Sequence, residues 1–247
     1  MLLLAIDTSS KHGSVAIFDE KTVIGSGNVV GKGNSASQLT PTIKSTLAAV
    51  GIEIGELDCV AVATGPGSFT GLRVGVTTAK VLAYALNCKV LGVHTLTAIA
   101  AGAFESAANE GSNGDSDCSS DRRPVNELVV TADAQRQQLF VLRCEAGQSW
   151  APKPRGKVEI IERAELASFA GQAPVVGPGL ERLPESQLAP FHTLNRNLWA
   201  CSAETVGRHA LALLDNGEPN DFWSLKPNYF RASSAEEKIQ LLGNAKR

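Results

Sequence analysis

An α/β fold made of two related halves is what the sequence predicts, and three observations predict it. Short continuous apolar runs such as Leu2–Ile6 and Cys59–Ala63 read as strands buried on both faces. Stretches between them switch to helical spacing of apolar residues. The order of three strands, helix, strand, helix occurs twice, separated by a polar break. Such a pseudo-repeat implies two subdomains, each with a mixed sheet of three antiparallel strands plus parallel strands, flanked by helices and facing each other across a cleft.

In the first half, Leu2–Ile6, Gly13–Asp19 and Thr22–Val30 are joined by links short enough for antiparallel neighbours. From about Ser37, the residues Leu39, Ile43, Leu47 and Val50 recur at helical spacing until Gly51, with Pro41 expected in the first turn. The strand Cys59–Ala63 leads through a glycine-rich turn into a helix from about Gly71 to Leu86. That helix carries Val76, Ala79, Ala83 and Leu86 along a face. A strand at Lys89–Val93 and a helix from Thr95 to about Ala108 complete the unit. In the second half, strands are expected at Glu127–Ala132, Gln138–Leu142, Lys157–Ile161 and Pro174–Val176. Helices are expected around Arg163–Phe169 and over Ala203–Leu214, the latter capped by Ser202. Ser234 to Glu237 fits a capping box for a last helix ending near Gly243.

Residues 109–121 are small, polar and acidic, with Cys118 as the one apolar residue, and read as a flexible linker or surface insertion. An acidic regulatory arm is the sharper reading. The division follows as 1–104 for an N-terminal subdomain, 105–124 for the polar segment and 125–247 for a C-terminal subdomain, whose last helix can pack back on the first.

Composition bounds the function. The chain has 247 residues, 43% of them hydrophobic, so it can bury a sizeable core. With 23 Lys plus Arg against 25 Asp plus Glu, it lacks the strongly basic balance of an autonomous nucleic-acid binder. The apolar start is cut at Asp7, too short for an export signal or a membrane span, so a cytoplasmic protein with no membrane partner is expected. Five scattered cysteines without a C-x-x-C spacing suit reduced thiols and no zinc site.

Two motifs carry candidate chemistry. Asp7-Thr8-Ser9 directly follows the first strand, where a carboxylate and hydroxyl donors can form a phosphate and Mg²⁺ loop. Its first glycine, however, is Gly13. An Asp and Ser closing a tight turn is the equal alternative. Gly65-Pro66-Gly67-Ser68-Phe69-Thr70-Gly71-Leu72-Arg73 links a strand to a helix, with Thr70 as a plausible N-cap. Helix-start amides and Arg73 could hold an anion, although neither a Walker loop nor G-x-G-x-x-G is matched. The four histidines are far apart, with no H-x-x-x-H pair and no G-x-S-x-G elbow, so metal ligation and peptidase chemistry are poorly supported.

Leu4–Ser9, Gly65–Arg73 and Leu91–Leu96 together resemble the TsaB family of tRNA threonylcarbamoyladenosine biosynthesis proteins. Asp133-Ala134-Gln135-Arg136 is similar to that family's Asp-Ala-Arg segment, and Pro227–Arg231 to its late Pro-x-Tyr-x-Arg. The resemblance is dense over residues 1–104 and scattered beyond.

It implies an actin-like, ribonuclease H-like fold of the ASKHA superfamily and a non-catalytic relative of TsaD, without cofactor or metal. The partner it implies is TsaD, bound as a heterodimer through the N-terminal helices. TsaE joins a larger complex, a homodimer forms when the chain is alone, and tRNA is met only through TsaD. Ser35 and Leu39 stand where the catalytic relative holds its metal with histidines. Leu39, Ile43, Leu47, Leu72, Val76 and Ala79 are the side chains expected at the partner interface, and Asp7, Thr8 and Ser9 become a degenerate phosphate loop. The alternative from another class is an ASKHA-type ATP-dependent phosphotransferase or ATPase using Asp7 and the glycine-rich turn.

Overall fold

The computed structural model describes residues 1–29, 35–112, 125–147, 150–217 and 222–231. The predicted helix at 234–243 and most of the polar segment lie outside the described residues. Among the described residues, nine strands form two mixed sheets. The first has the order β3-β2-β1-β4-β5, from β1 (Leu2–Asp7), β2 (Gly13–Asp19), β3 (Thr22–Val29), β4 (Cys59–Gly65) and β5 (Lys89–His94). Its first three strands are antiparallel, and β4 and β5 join in parallel. The second sheet has the order β8-β7-β6-β9, from β6 (Glu127–Gln135), β7 (Gln138–Glu145), β8 (Lys153–Glu162) and β9 (Val175–Val176). It repeats the pattern, three antiparallel strands and then a parallel one. The expected α/β class with two mixed sheets is what the chain adopts.

Strand pleating sorts the first sheet's side chains into two cores. Leu4, Ile6, Val15, Ile17, Val60 and Val62 face α1 (Ser35–Ala49) and α2 (Phe69–Leu86). Leu3, Ala5, Phe18, Cys59 and Ala61 face the opposite way, into a core continuous with the second sheet. That shared core also takes side chains from α3 (Thr95–Ser112) and α6 (Ala203–Asp215). Between them in sequence are two short helices, α4 (Leu166–Ala170) and α5 (Glu185–Leu188).

Local details refine the sequence reading. Helix α1 begins at Ser35, so Pro41 sits in its second turn and not its first. Ser68, not Thr70, caps α2, its hydroxyl accepting from the Gly71 amide. Ser202 caps α6 as expected, with the Thr205 side chain returning to the Ser202 amide. Strand β8 is longer than expected because Pro154 and Gly156 are tolerated on an edge.

The repeat extends to its turns. Gly65-Pro66-Gly67 follows β4, which pairs in parallel with β1, and Gly177-Pro178-Gly179 follows β9, which pairs in parallel with β6. The first glycine of each lies at positive φ, +113° at Gly65 and +122° at Gly177. Only glycine holds that backbone without strain.

Candidate functional site

Asp7-Thr8-Ser9 and the glycine-rich turn meet at the carboxyl ends of β1 and β4. Asp7 Oδ1 accepts the Ser9 amide at 2.9 Å, the hydrogen bond of an Asx turn. The Ser68 amide donates to the Ser9 carbonyl at 2.7 Å, and Thr8 Oγ1 donates to the Gly71 carbonyl at 2.7 Å. Space for this contact comes from small residues one helical turn apart. A Cβ added at Gly67, Gly71 or Gly75 would lie 2.5, 2.0 or 2.3 Å from Ser9 or Thr8 atoms. These glycines therefore seat α2 directly on the loop. Amides of Ser68, Gly71 and Leu72 are all committed to the chain itself, which removes them as donors to an anion.

Asp7 is fully buried, and burial pushes its carboxyl up to about 6 despite hydrogen bonding from Ser9. Its Oδ2 has no hydrogen-bond partner among the described residues. Beside it, the Cys201 thiol is raised well above its ordinary range, by burial and then by the Asp7 charge. Cys59 and Cys144 are free and buried, their thiols pushed up to about 12 chiefly by burial, so they behave as small apolar side chains. Burial, then His209, lowers His94 to about 4, so its ring is neutral at physiological pH. Among the described residues no group of three or more His, Cys, Asp or Glu is placed to hold a metal ion.

The structure corrects the expected contact surface. Leu39, Ile43, Leu47, Leu72, Val76 and Ala79 are each at most 3% exposed, and all but Leu72 pack in the core formed on their own first sheet. An amphipathic helix covers its own sheet first, and the apolar periodicity of α1 and α2 marks that buried stripe. The outward side of α2 carries other residues. Val81 is 60% and Tyr84 76% exposed, and the neighbouring Trp223 is 83% exposed. Phe222 links the two aromatics, with ring centroids 6.0 Å from Tyr84 and 5.1 Å from Trp223, while Lys80 Nζ lies 5.2 Å over its ring. Sequence reasoning missed this patch. The adjacent aromatics Phe222-Trp223 in an otherwise polar stretch were the available signal.

The late motif also has a place that spacing did not reveal. The Asn228 amide donates to the Thr64 carbonyl at 2.7 Å, and its side chain donates to Thr64 Oγ1 at 3.2 Å. Tyr229 stacks on Phe69 at 4.7 Å and accepts from Arg73 Nε at 2.9 Å. Phe230 packs on His94 and Phe140, and Arg231 Nη1 donates to the Ala134 carbonyl at 2.7 Å. Residues 227–231 thus strap the glycine-rich turn of the first sheet to the Asp133–Arg136 turn of the second.

Two mixed sheets that share the run of three antiparallel strands and then a parallel one, with a Gly-Pro-Gly turn at the end of the strand parallel to the first, define an α/β protein of two repeated halves. Two Pseudomonas aeruginosa structures share that fold: YeaZ, with TM-score 0.72, and an uncharacterised protein with similarity to peptidase YeaZ, with TM-score 0.73. Each is 24% identical, covering 93% of this chain and 99% of the other. The sequence model of the family described as TsaD, tRNA N6-adenosine threonylcarbamoyltransferase, matches residues 30–148. The chain is 39% identical over 107 residues to the tRNA threonylcarbamoyladenosine biosynthesis protein TsaB of Haemophilus influenzae, 42% of this chain and 44% of that one. With the TsaB of Bacillus subtilis it shares 39% over 101 residues, 41% of this chain and 44% of the relative. The match thus spans less than half the length of these curated relatives. The resemblance carried by the motifs holds, and the chain is similar to the TsaB proteins.

Proposed function

We propose that the chain serves tRNA threonylcarbamoyladenosine formation as a non-catalytic partner of a TsaD-like transferase, which it stabilises and activates. The observation that carries this reading is the exposed aromatic and aliphatic patch on the outer side of α2, formed by Val81, Tyr84 and Trp223. Aromatic anchors of this kind dominate protein–protein affinity, and water-exposed apolar clusters mark docking sites. The names of the matched relatives supply the pathway. In this reading the partner is a TsaD relative bound through α1 and α2, with TsaE in a larger complex and a homodimer when the chain is alone. The setting is the cytoplasm, and no described helix is long and apolar enough to cross a membrane. The catalytic relative holds the tRNA for chemistry. The occupied amides around Asp7 weigh against the alternative of an ATP-dependent phosphotransferase, because its phosphate loop would need them.

The test is co-purification with a TsaD relative, using a chain that carries Val81→Glu and Tyr84→Glu together. Both side chains are exposed, so the variant folds with an unchanged melting temperature, while affinity for the partner falls at least 100-fold. Undiminished complex formation by the folded double variant would show that the surface is elsewhere. Threonylcarbamoyladenosine formation from the purified partner proteins, measured with and without this chain, tests the pathway itself.

A further inference from the structure

We propose that arginines converging on the β6–β7 turn, continued by Tyr229 and Arg73, form a phosphate-binding rim for RNA. The turn itself is the first observation. Gln135, Arg136 and Gln137 are consecutive, exposed and all at positive φ, +64°, +49° and +66°. A side chain in that region costs on the order of 1 kcal/mol per residue, and two-residue hairpin turns ordinarily relieve it with Asn-Gly. Here the conformation is kept with an arginine at the tip.

The second observation is what surrounds the tip. Arg163 donates through its amide to the Gln137 carbonyl at 2.9 Å and through Nη1 to Gln137 Oε1 at 2.8 Å. Arg182 Nε lies 2.9 Å from Asp133 Oδ2, with half of its side chain exposed, and Arg163 Nη2 lies 3.5 Å from Oδ1. Arg231 reaches the Ala134 carbonyl. Three arginines from three chain segments therefore reach the hairpin that carries Arg136 at its tip. Carboxylates touching the same hairpin include Asp133 and Glu162, the latter accepting from Gln138 at 2.8 Å. In a chain of net charge −2, four arginines are thereby concentrated at one hairpin.

The strap extends it. Two residues before Arg231, Tyr229 is 44% exposed and hydrogen-bonded to Arg73, whose guanidinium lies 4.0 Å over the Phe69 ring. Each of three motifs far apart in sequence thus contributes an arginine: Arg73, Arg136 and Arg231. Planar guanidinium forks match phosphate oxygens, and an exposed tyrosine among them offers a face on which an unpaired base stacks. That combination favours a polynucleotide over an acidic peptide. Near-neutral overall charge makes the contact weak and local, a supplement to a partner's hold on the same RNA. Naming tRNA as the polyanion rests on the proposed role above, whereas the anion chemistry rests on the hairpin alone.

The experiment is fluorescence anisotropy of a labelled, unmodified tRNA transcript titrated with the full chain at 20 to 150 mM salt, alongside Arg136→Asn and Arg136→Lys. Asparagine suits positive φ, so Arg136→Asn should melt no lower than the unaltered chain while binding RNA roughly 3- to 10-fold more weakly. Its log-affinity against log-salt slope should be shallower by roughly 0.7 to 0.9. Arg136→Lys should restore most of the affinity. RNA binding by Arg136→Asn equal to that of the unaltered chain, or no salt-dependent binding by the unaltered chain at 20 mM, would overturn the rim. Threonylcarbamoyladenosine formation is measured in parallel. If it requires the chain while Arg136→Asn binds RNA undiminished, the rim fails and the proposed function stands. If RNA binding depends on Arg136 but the modification proceeds without the chain, the rim stands and the function fails.

Discussion

The β1–β2 and β6–β7 turns are equivalent positions of the internal repeat, and they share their local chemistry. Each has, at or near the end of its first strand, an aspartate whose Oδ1 accepts the amide two residues on, at 2.9 Å for Asp7 and Ser9 and at 3.0 Å for Asp133 and Gln135. Each is approached by a Gly-Pro-Gly turn from the neighbouring parallel strand. The surroundings then diverge. At the first turn, α2 settles over Thr8 and Ser9, leaving Asp7 buried and its Oδ2 without a partner among the described residues. At the second, a short 3₁₀ segment (Pro178–Arg182) takes the place of the long helix, and Asp133 stays partly exposed between two arginines. One backbone plan therefore yields a closed loop in one half and an open, charged loop in the other. What separates them is the length of the element that follows the parallel strand.

The glycines of the approaching turns test the shared part of this plan. A Cβ at Gly177 would stand 2.1 Å from the Thr131 carbonyl oxygen at a φ of +122°. Gly177→Ala combines a backbone clash with a strained conformation and should destabilise the chain by about 4 kcal/mol. Gly71→Ala puts a Cβ 2.0 Å from the Thr8 carbonyl oxygen without the φ penalty, and about 3 kcal/mol is expected. Urea midpoints measure both. A loss under about 1 kcal/mol in either variant would mean that its turn is not tightly seated.

Aspartate-to-asparagine changes at the two equivalent positions should have opposite signs. The Asp7 carboxyl ionises near 3.8 when unfolded and about 6 when folded. Between those values the folded state binds more protons. Stability therefore falls as pH rises from about 4 to 6 and levels off above, a total of about 3 kcal/mol. Asp7→Asn keeps the bond from the Ser9 amide, abolishes that slope and should stabilise the chain by about 1–3 kcal/mol at pH 8. Asp133→Asn instead removes the counter-charge of Arg163 and Arg182, and a loss of about 1 kcal/mol is expected. Unfolding curves from pH 4 to 8 decide the matter. Asp7→Asn with an unchanged pH slope would contradict the buried, protonation-favouring site.

The sequence made the strands and their repeated order legible because burial on both faces leaves continuous apolar runs such as Leu3–Ile6. It also made the glycine-rich turn conspicuous while concealing its task. Glycine next to a helix start suggests anion binding, but Gly71 and Gly75 lie four residues apart in α2, a spacing that marks one helix face cleared for close packing, and Gly67 continues the clearance just before the cap. The outward side of α2 was illegible for a related reason. Helical periodicity identifies the stripe a helix buries, here Leu72, Val76 and Ala79, and says little about which exposed side chains matter. That Tyr229 would meet Arg73 and Arg231 the Asp133–Arg136 turn was out of reach, because it depends on how the strap at 227–231 crosses from one sheet to the other.

The smallest expected effect isolates the open turn. Gln137 holds φ at +66° between Arg136 and the start of β7, so Gln137→Gly removes a side chain from a backbone region that disfavours it. Glycine also has more freedom to lose on folding, and the two effects partly offset one another. The balance should be a gain of about 0.5 kcal/mol, read as a higher urea midpoint with an unchanged slope. No equivalent gain is available at the β1–β2 turn, where the described residues Thr8 to His12 all keep negative φ. A destabilised Gln137→Gly would mean that the Gln137 side chain, through its bond from Arg163, holds the hairpin more strongly than the backbone resists it. In that case the arginine on its flank would be a brace of the second turn, and the difference between the two loops would lie in their side chains more than in the elements that cover them.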